Sequence, residues 1–567
     1  MESYIKTVST NCKECCKCVL HCSVKAIRMN EGHAEIVPEK CILDGKCIQA
    51  CPQNAKEVVS QLNEVKKILK SGEFVVLSLA PSFPAVFSEY TPFQIYRAFK
   101  ELGFSEIEET AVAAHYVALE YQKLVSVKDM LISSDCPSAV NLIEIYHPHL
   151  LKYLAPITSP MIAHSIMLRK GFKEKFNKDI KIVFAGPCIA KIDEASRSKR
   201  SPDFVISFRE IIDWLKEEGI NISELSQSII TSEYHAQAAR MYPLEGGLLK
   251  SIGLEHFHSK YFSVTGFSKC NDFLSKYDFE SHDLKIAELM VCDDGCVNGP
   301  LSANDFPPLI RKKIFEYDAK HEHLPVLFDY DNLEVDISRS FENRYIKPKE
   351  YTEEQIIEVL RRTGRDNKEE QLNCGSCGYN LCRDRAIAVL DGMLEIDMCI
   401  PYMKKRAESR AYEIIERSPN GVIEVSRDYR IVHYNTTFKE LFGLPNCKDI
   451  MGQPIKNFLD IELFEEGRID KKTFITKVPN LNKEIEVRVY DLLEDEMHVA
   501  IVIDITQRVN DKKNLYNLKK ETIDKTTDVI HKQMRVAQEI ASLLGETTAE
   551  TKATLLDLMN VIKKEGD

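Results

Sequence analysis

No apolar run in this 567-residue chain approaches the ~20 residues that a membrane-crossing helix needs, which argues against a membrane protein. The first residues, Met-Glu-Ser-Tyr-Ile-Lys, hold no apolar stretch of the secretory kind, so a cytoplasmic protein is expected. No Gly-rich phosphate loop appears, and no nicotinamide or flavin module, which disfavours a metabolic enzyme that reduces NAD. Excess positive charge is missing too. The net charge of −12 argues against a nucleic-acid-binding surface.

Cysteine is not scarce. Eighteen cysteines in a long chain without a secretory signal point to metal ligation rather than to disulfides. A chain of this length also exceeds a single core, so several domains are expected. Three cysteine segments each follow a short apolar run that reads as a buried strand: Met130–Ile132 before Asp135-Cys136, Ile182–Phe184 before Cys188, and Ile286–Val291 before Cys292 and Cys296. Residues just past strand ends gather at the carboxyl edge of an α/β sheet, where such folds build their sites.

The second segment reads Pro187-Cys188-Ile189-Ala190-Lys191. The third reads Glu288-Leu289-Met290-Val291-Cys292-Asp293-Asp294-Gly295-Cys296. Together with Ser133-Ser134-Asp135-Cys136 they resemble the active-site domain of the iron–iron (FeFe) hydrogenases. Ala80-Pro81-Ser82, Thr158-Ser159-Pro160-Met161 and Tyr242-Pro243-Leu244-Glu245-Gly246-Gly247 resemble further segments of that family. The resemblance implies that Cys136, Cys188, Cys292 and Cys296 hold a 4Fe–4S cluster. It also implies that Cys296 bridges to a two-iron centre carrying CO, CN⁻ and azadithiolate, with Lys191 and Met290 beside that centre. The implied activity is reversible cleavage of dihydrogen to protons and electrons. Asp135 departs from the pattern, because the most active relatives carry a proton-relaying cysteine there. A carboxylate would sit ionised at neutral pH unless burial raised it. Low turnover, suited to sensing, is the expectation. A helix cap or turn is the competing role for Asp135. Asp293-Asp294 and Asn298-Gly299-Pro300 also depart from the family and are expected to reshape the pocket.

Ahead of this domain, Cys12-x2-Cys15-x2-Cys18-x3-Cys22 and Cys41-x2-Asp44-x2-Cys47-x3-Cys51 repeat the spacing of two-cluster bacterial ferredoxins, in which the last cysteine of each run ligates the other cluster. That pattern groups Cys12, Cys15, Cys18 and Cys51 around one cluster, and Cys22, Cys41 and Cys47 around the second. Asp44 is a labile oxygen ligand of the second cluster or leaves one iron open. Ser23 stands where proline usually follows, and Cys16 is off the pattern, a spare packed thiol. Zinc is the alternative occupant.

After the central domain, Cys374-x2-Cys377-x4-Cys382-x16-Cys399 resembles a small 4Fe–4S module of anaerobic electron-transfer proteins, again with zinc as alternative. Arg383–Met398 reads as a helix. From about Tyr412 to Thr506 the chain resembles a PAS domain, with strands at Gly421–Val425, Ile431–Asn435, Ile485–Val489 and His498–Ile503 and an exit motif Asp504-Ile505-Thr506. His433 reads as a strand residue and Cys447 as a loop residue. The proline-free tail carries an apolar stripe including Ile530, Met534 and Ile540, with a possible break at Gly545, and it calls for a partner such as a second copy.

The expected fold is therefore multidomain, α/β and α+β. A ferredoxin-like domain spans 1–70, a two-lobed α/β FeFe-hydrogenase domain 71–345, a 4Fe–4S module 346–408, a PAS domain 409–508 and C-terminal helices 509–567. The expected partners are dihydrogen and protons, a ferredoxin-type electron partner, a signalling kinase or phosphatase, and a second copy in a homodimer. A redox sensor that lacks the two-iron centre is the alternative from another class, and a ferredoxin-dependent catalytic hydrogenase the third.

Overall fold

Two parallel sheets organise the centre of the molecule. The computed structural model describes residues 3–30, 32–226, 239–254, 259–281, 283–302, 309, 312–313, 315–316, 324, 326–444, 449–470, 473–478, 481–492, 497–544 and 549–564. Cys447 and Gly545 lie outside these. The chain forms two compact units, Met1–Tyr402 and Met403–Asp567.

In the first unit, the four-stranded sheet has the order Glu106–Glu109, Val75–Leu79, Lys181–Gly186, Phe204–Ser207, all parallel. The three-stranded sheet runs Tyr261–Thr265, Ile286–Met290, Leu131–Ile132, again parallel. Central strands such as Val75–Leu79 and Ile286–Met290 are buried at every position. Parallel strands covered on both faces read as continuous apolar runs, and that is why their sequences do not alternate. The expected strands before the three cysteine segments are all present.

Glu108, wholly buried, is held by the Tyr330 hydroxyl (2.5 Å), the Leu327 amide (2.6 Å) and the His164 Nε2 (3.0 Å). Glu144, also buried, accepts from Arg197 (2.7 and 2.9 Å) and Arg344, which ties the strap after residue 326 to the core. Removing one partner of such a buried pair typically costs about 3–5 kcal/mol.

The N-terminal segment pairs Ile5–Thr7 with Lys56–Val58 and Ile27–Asn30 with His33–Ile36, around the short helices Lys17–His21 and Lys46–Gln49. In the later part of this unit, the helix that begins at Cys382 ends at Leu390 rather than continuing to Met398. Gly392 takes a positive φ of 69°, and a 3-10 turn at Ile396–Met398 leads to Cys399.

The second unit holds a five-stranded antiparallel sheet in the order Ile431–Tyr434, Gly421–Val425, Met497–Asp504, Glu484–Leu492, Thr473–Lys477. The last of these was not anticipated. It is an edge strand, with Ile475 exposed, and lacks the apolar-inward pattern of its neighbours. His433 lies in a strand, as expected, with its ring 5.6 Å from that of Tyr412. The tail forms helices Thr506–Leu544 and Ala549–Lys564. Asp504 Oδ1 accepts from the Thr506 amide (2.9 Å) and hydroxyl (2.6 Å) where the first of them starts. Along that helix Ile530 is buried, while Val529, Val536 and Ile540 are exposed. Among the described residues no helix is long and apolar enough to cross a membrane.

A methyl group added at Gly247 would lie 1.9 Å from the Met241 carbonyl oxygen, which is backbone and cannot swing aside. Gly247→Ala is expected to cost about 1–3 kcal/mol by overpacking. A thermal unfolding midpoint equal to that of the parent chain would contradict this close approach.

Candidate active site

The carboxyl ends of the two parallel sheets meet around an internal cavity of about 100 Å³. Four strand ends supply most of the wall: Ala80, Pro81 and Ser82 after Val75–Leu79; Pro187, Cys188 and Lys191 after Lys181–Gly186; Asp135 and Cys136 after Leu131–Ile132; Met290 at the end of Ile286–Met290 and Cys296 after it. Pro160, Met161, Tyr242 and Pro243, from the other segments singled out in sequence, complete the wall. Backbone contacts hold Cys296 in place. Its amide donates to the Pro243 carbonyl (2.8 Å), and Gly295, at φ 88°, comes so close that a side chain would meet that same oxygen at 2.2 Å.

The four thiols act on one another's charge. Burial pushes Cys188 up to about 11, with Cys136 adding to the rise, while Lys191 opposes it. Cys292 is pushed well above its ordinary value by burial and by Cys188, Cys136 and Cys296. Cys296 is raised by burial, then by Cys136 and Cys188. Four such thiols cannot all ionise together without a compensating positive charge, and bound iron supplies one. Cys136, Cys188 and Cys296 face the cavity. Cys292 lies on an outer cavity of about 230 Å³ with Asp44, Lys46, Asp293, Asn298 and Pro300. Of the departures in and after the third segment, Asp293, Asn298 and Pro300 border this outer cavity.

Among the described residues no three His, Cys, Asp or Glu side chains crowd closely enough to share a single ion. A tetrahedral zinc, at about 2.3 Å from each sulfur, would need such crowding, whereas a cube with iron at alternate corners spreads its thiolates wider. Four thiolates are the donor chemistry that holds a 4Fe–4S cluster, and the residues present fit that group.

The other polar groups of the cavity are unusual. Lys191 Nζ donates to Glu194 Oε2 (2.7 Å) and to the Asp135 carbonyl (3.3 Å), and Arg339 donates to Glu194 Oε1 (2.6 Å). Burial would raise Glu194, yet these two cations hold it below the ordinary carboxylate range. Asp135 is different. Burial raises it to about 7, against Tyr121 and Lys191, which favour the ionised form. Burial, the condition under which Asp135 would not sit plainly ionised, is therefore met. Neither of its carboxyl oxygens has a hydrogen-bond partner of good geometry among the described residues, and Tyr121 is committed to the Ser134 amide (2.8 Å) and hydroxyl (3.1 Å). The helix-cap role is also not seen, since Cys136 occupies the cap of helix Pro137–Tyr146.

Sequence reasoning missed three groups here. Glu288 lines the cavity and accepts from the Leu248 amide (3.0 Å), while its Oε2 has no partner of good geometry among the described residues; burial lifts it to about 8. The Tyr242 hydroxyl is likewise unpartnered. Thr110, on the wall, bonds Ser78 (2.8 Å), which bonds His164 Nδ1 (2.7 Å) in a fully buried row ending at Glu108. Apolar sequence neighbours gave no sign of these polar groups.

The N-terminal cysteines sort as the ferredoxin spacing predicts. Cys12, Cys15, Cys18 and Cys51 line one small cavity, with Lys56 beside them. Cys22, Cys41 and Cys47 act on one another and on Asp44. Two departures from the ferredoxin pattern meet here: the Ser23 hydroxyl donates to Asp44 Oδ2 (2.8 Å), and the Lys46 amide to Oδ1 (3.3 Å). Cys16 is half-buried and lines the same small cavity as the first set, and burial, then Cys18 and Cys15, lifts it to about 11. In the later set, Cys377 and Cys399 are buried and act on each other, while Asn373 Oδ1 accepts from the Cys382 amide (2.7 Å) and ties Cys382 to the loop that carries Cys374.

The shift at Glu288 has a measurable consequence. The unfolded chain releases this proton near 4.5, whereas the native protein holds it to about 8. The stability it contributes is therefore complete below 4.5 and lost as pH rises through 8. Glu288→Gln should match the parent at the acid end of this window and become progressively more stable than it toward the alkaline end. Denaturation curves that stay parallel across the window would contradict the assignment.

Residues 73–300 match the family described as iron only hydrogenase large subunit, C-terminal domain. Residues 34–57 match a 4Fe-4S binding domain, residues 370–401 an Fe-S cluster family, and residues 409–510 the PAS fold. Iron hydrogenase 1 of Clostridium pasteurianum is 24% identical over 395 residues, covering 57% of this chain and 68% of that protein. A solved FeFe-hydrogenase from Chlamydomonas reinhardtii is similar at 17% identity and a TM-score of 0.41, over 51% of this chain and all of that one. The PAS domain of an HTR-like protein from Haloarcula marismortui is similar at 20% identity and a TM-score of 0.16, over 18% of this chain and 95% of that one. The chain carries an FeFe-hydrogenase large-subunit domain, joined to an N-terminal 4Fe–4S domain, an Fe–S module and a C-terminal PAS domain.

Proposed function

We propose that this protein is a sensory FeFe hydrogenase of low turnover, which passes the redox state set by dihydrogen to a signalling partner. The observation that carries this reading is the shared cavity: Cys136, Cys188 and Cys296 line it together with Lys191 and Met290, at the ends of two parallel sheets. In this reading Cys136, Cys188, Cys292 and Cys296 hold a 4Fe–4S cluster, and Cys296 is shared with the two-iron centre. That centre, when bound, supplies heterolytic cleavage of dihydrogen.

The chain's own residues do the rest. Lys191, clamped by Glu194, presents an ammonium at the wall, where it can hold an anionic ligand by a charge-assisted bond. Met290 offers a soft apolar surface. Asp135 borders the same space and can hold a proton, but its oxygens lead to no hydrogen-bonded neighbour among the described residues. Asp135 stands where the most active relatives carry a proton-relaying cysteine, and that exchange supports slow turnover. The two N-terminal cysteine sets and the later one would each hold a 4Fe–4S cluster. The PAS domain and tail helices, with their exposed apolar positions, would serve dimerisation and contact with a kinase or phosphatase.

Infrared spectra of protein matured with the hydrogenase assembly machinery should show bands of bound CO and CN⁻ that shift under hydrogen. Their absence would leave a cluster-only redox sensor in its place. Asp135→Asn keeps the shape and loses the exchangeable proton, so it should lower hydrogen turnover by about 100-fold. Turnover unchanged by this substitution would assign Asp135 to turn formation alone.

A further inference from the structure

In chain order the later cluster module follows the hydrogenase domain and precedes the PAS domain. In space it lies against the N-terminal cluster segment. Gly378, at φ 90°, presses on the helix Lys17–His21 so closely that a side-chain carbon there would stand 2.9 Å from Val19 Cγ1 and 3.2 Å from the Leu20 amide nitrogen. Lys25 Nζ lies 5.8 Å from the Tyr379 ring centre. The Met29 amide donates to the Met393 carbonyl (3.0 Å), joining the hairpin Ile27–Asn30/His33–Ile36 to the module's backbone. Cys18, Val19 and Cys22 share one buried core with Cys377, Tyr379 and Met393. The pressed helix holds Cys18, of the first N-terminal set, and is followed directly by Cys22, of the second.

The same segment also meets the hydrogenase site. Gly45, next to Asp44, is packed on Pro300 and Ile189, a side-chain carbon there falling 2.4 and 2.8 Å from them. Asp44 and Cys292 border one cavity. The segment is therefore in contact both with the active-site cysteine loops and with the module.

We propose that electrons released at the hydrogenase site reach the Cys374–Cys399 module through the N-terminal clusters, so that this segment is an internal relay and the module the terminal cluster. The inference rests on the proposed hydrogenase reading for its electron source, though not for its geometry. Each dihydrogen yields two protons and two electrons. The electrons move singly: a reduced N-terminal cluster returns to its oxidised state as the oxidised module cluster becomes reduced, and no bond is made or broken in the hop. The terminal position suits a reporter, because Cys399 directly precedes the helix Ile400–Glu416 that leads toward the PAS domain. Charge effects agree with the contacts, since Cys16 feels both Cys18 and Cys377, and Tyr379 feels both Cys22 and Cys377.

The test uses the full-length chain with its clusters loaded. In dithionite, without hydrogen, electron paramagnetic resonance should show magnetic coupling between the module and N-terminal clusters, lost in Cys377→Ser and in Cys41→Ser/Cys47→Ser. Under hydrogen, the parent's module cluster should become reduced. The Cys41→Ser/Cys47→Ser variant should lose that reduction while dithionite still reduces its module. Independent signals in dithionite, or undiminished reduction by hydrogen in the double variant, would overturn the relay. Coupled signals in dithionite with no cluster reduced by hydrogen in the parent would instead overturn the hydrogenase reading, and with it the source of the relayed electrons.

Discussion

The whole architecture turns on one electrostatic constraint: thiols brought together inside protein resist ionisation, and each makes the next harder to ionise. Cys136, Cys188, Cys292 and Cys296 are all raised by burial, and Cys188, Cys292 and Cys296 are raised further by neighbouring thiols. Iron relieves the conflict by supplying positive charge among the sulfurs. The fold spends two parallel sheets to create the conflict, since only strand ends converging from both can place three distant cysteine segments on one spot. Gly295 and Gly247, which admit no side chain without collision, show how tightly the loops are drawn together.

Around that centre the protein arranges charge by burial rather than by sequence neighbours. Glu194 stays ionised between Lys191 and Arg339, whereas at Asp135 burial outweighs the opposing effects of Tyr121 and Lys191 and raises the group to about 7. Glu288 is held higher still. The cavity wall thus carries two carboxyl groups raised by burial, while the Glu194 carboxylate bonded to the wall's Lys191 stays ionised, the three set apart by environment alone. This contrast, rather than the identity of any single acid, governs how protons can move near the cysteines.

Much of this was readable in the chain. The cysteine spacing predicted which N-terminal residues group together, and the apolar runs before Cys136, Cys188 and Cys292 predicted the strands that carry them. What escaped depended on contacts between distant residues. The protonation of Asp135 follows from burial beside Tyr121 and Ser134, on an adjoining helix and strand end. Glu288 looks like any strand residue until its pocket is assembled. The helix after Cys382 stops early because Gly392 turns the chain. The module's position on Val19 and Leu20 is invisible in sequence, where more than 350 residues separate them. A chain order of modules was a poor guide to their order in space.

The central claim is that four thiols from three loops hold one iron–sulfur cube that shares a sulfur with a two-iron centre. Anomalous diffraction at the iron absorption edge, on crystals of the matured protein, tests it most directly. The account predicts iron density enclosed by the sulfurs of Cys136, Cys188, Cys292 and Cys296, with two further irons beside Cys296 in the buried cavity. Density at the zinc edge alone, or iron bound to fewer than these four sulfurs, would contradict it.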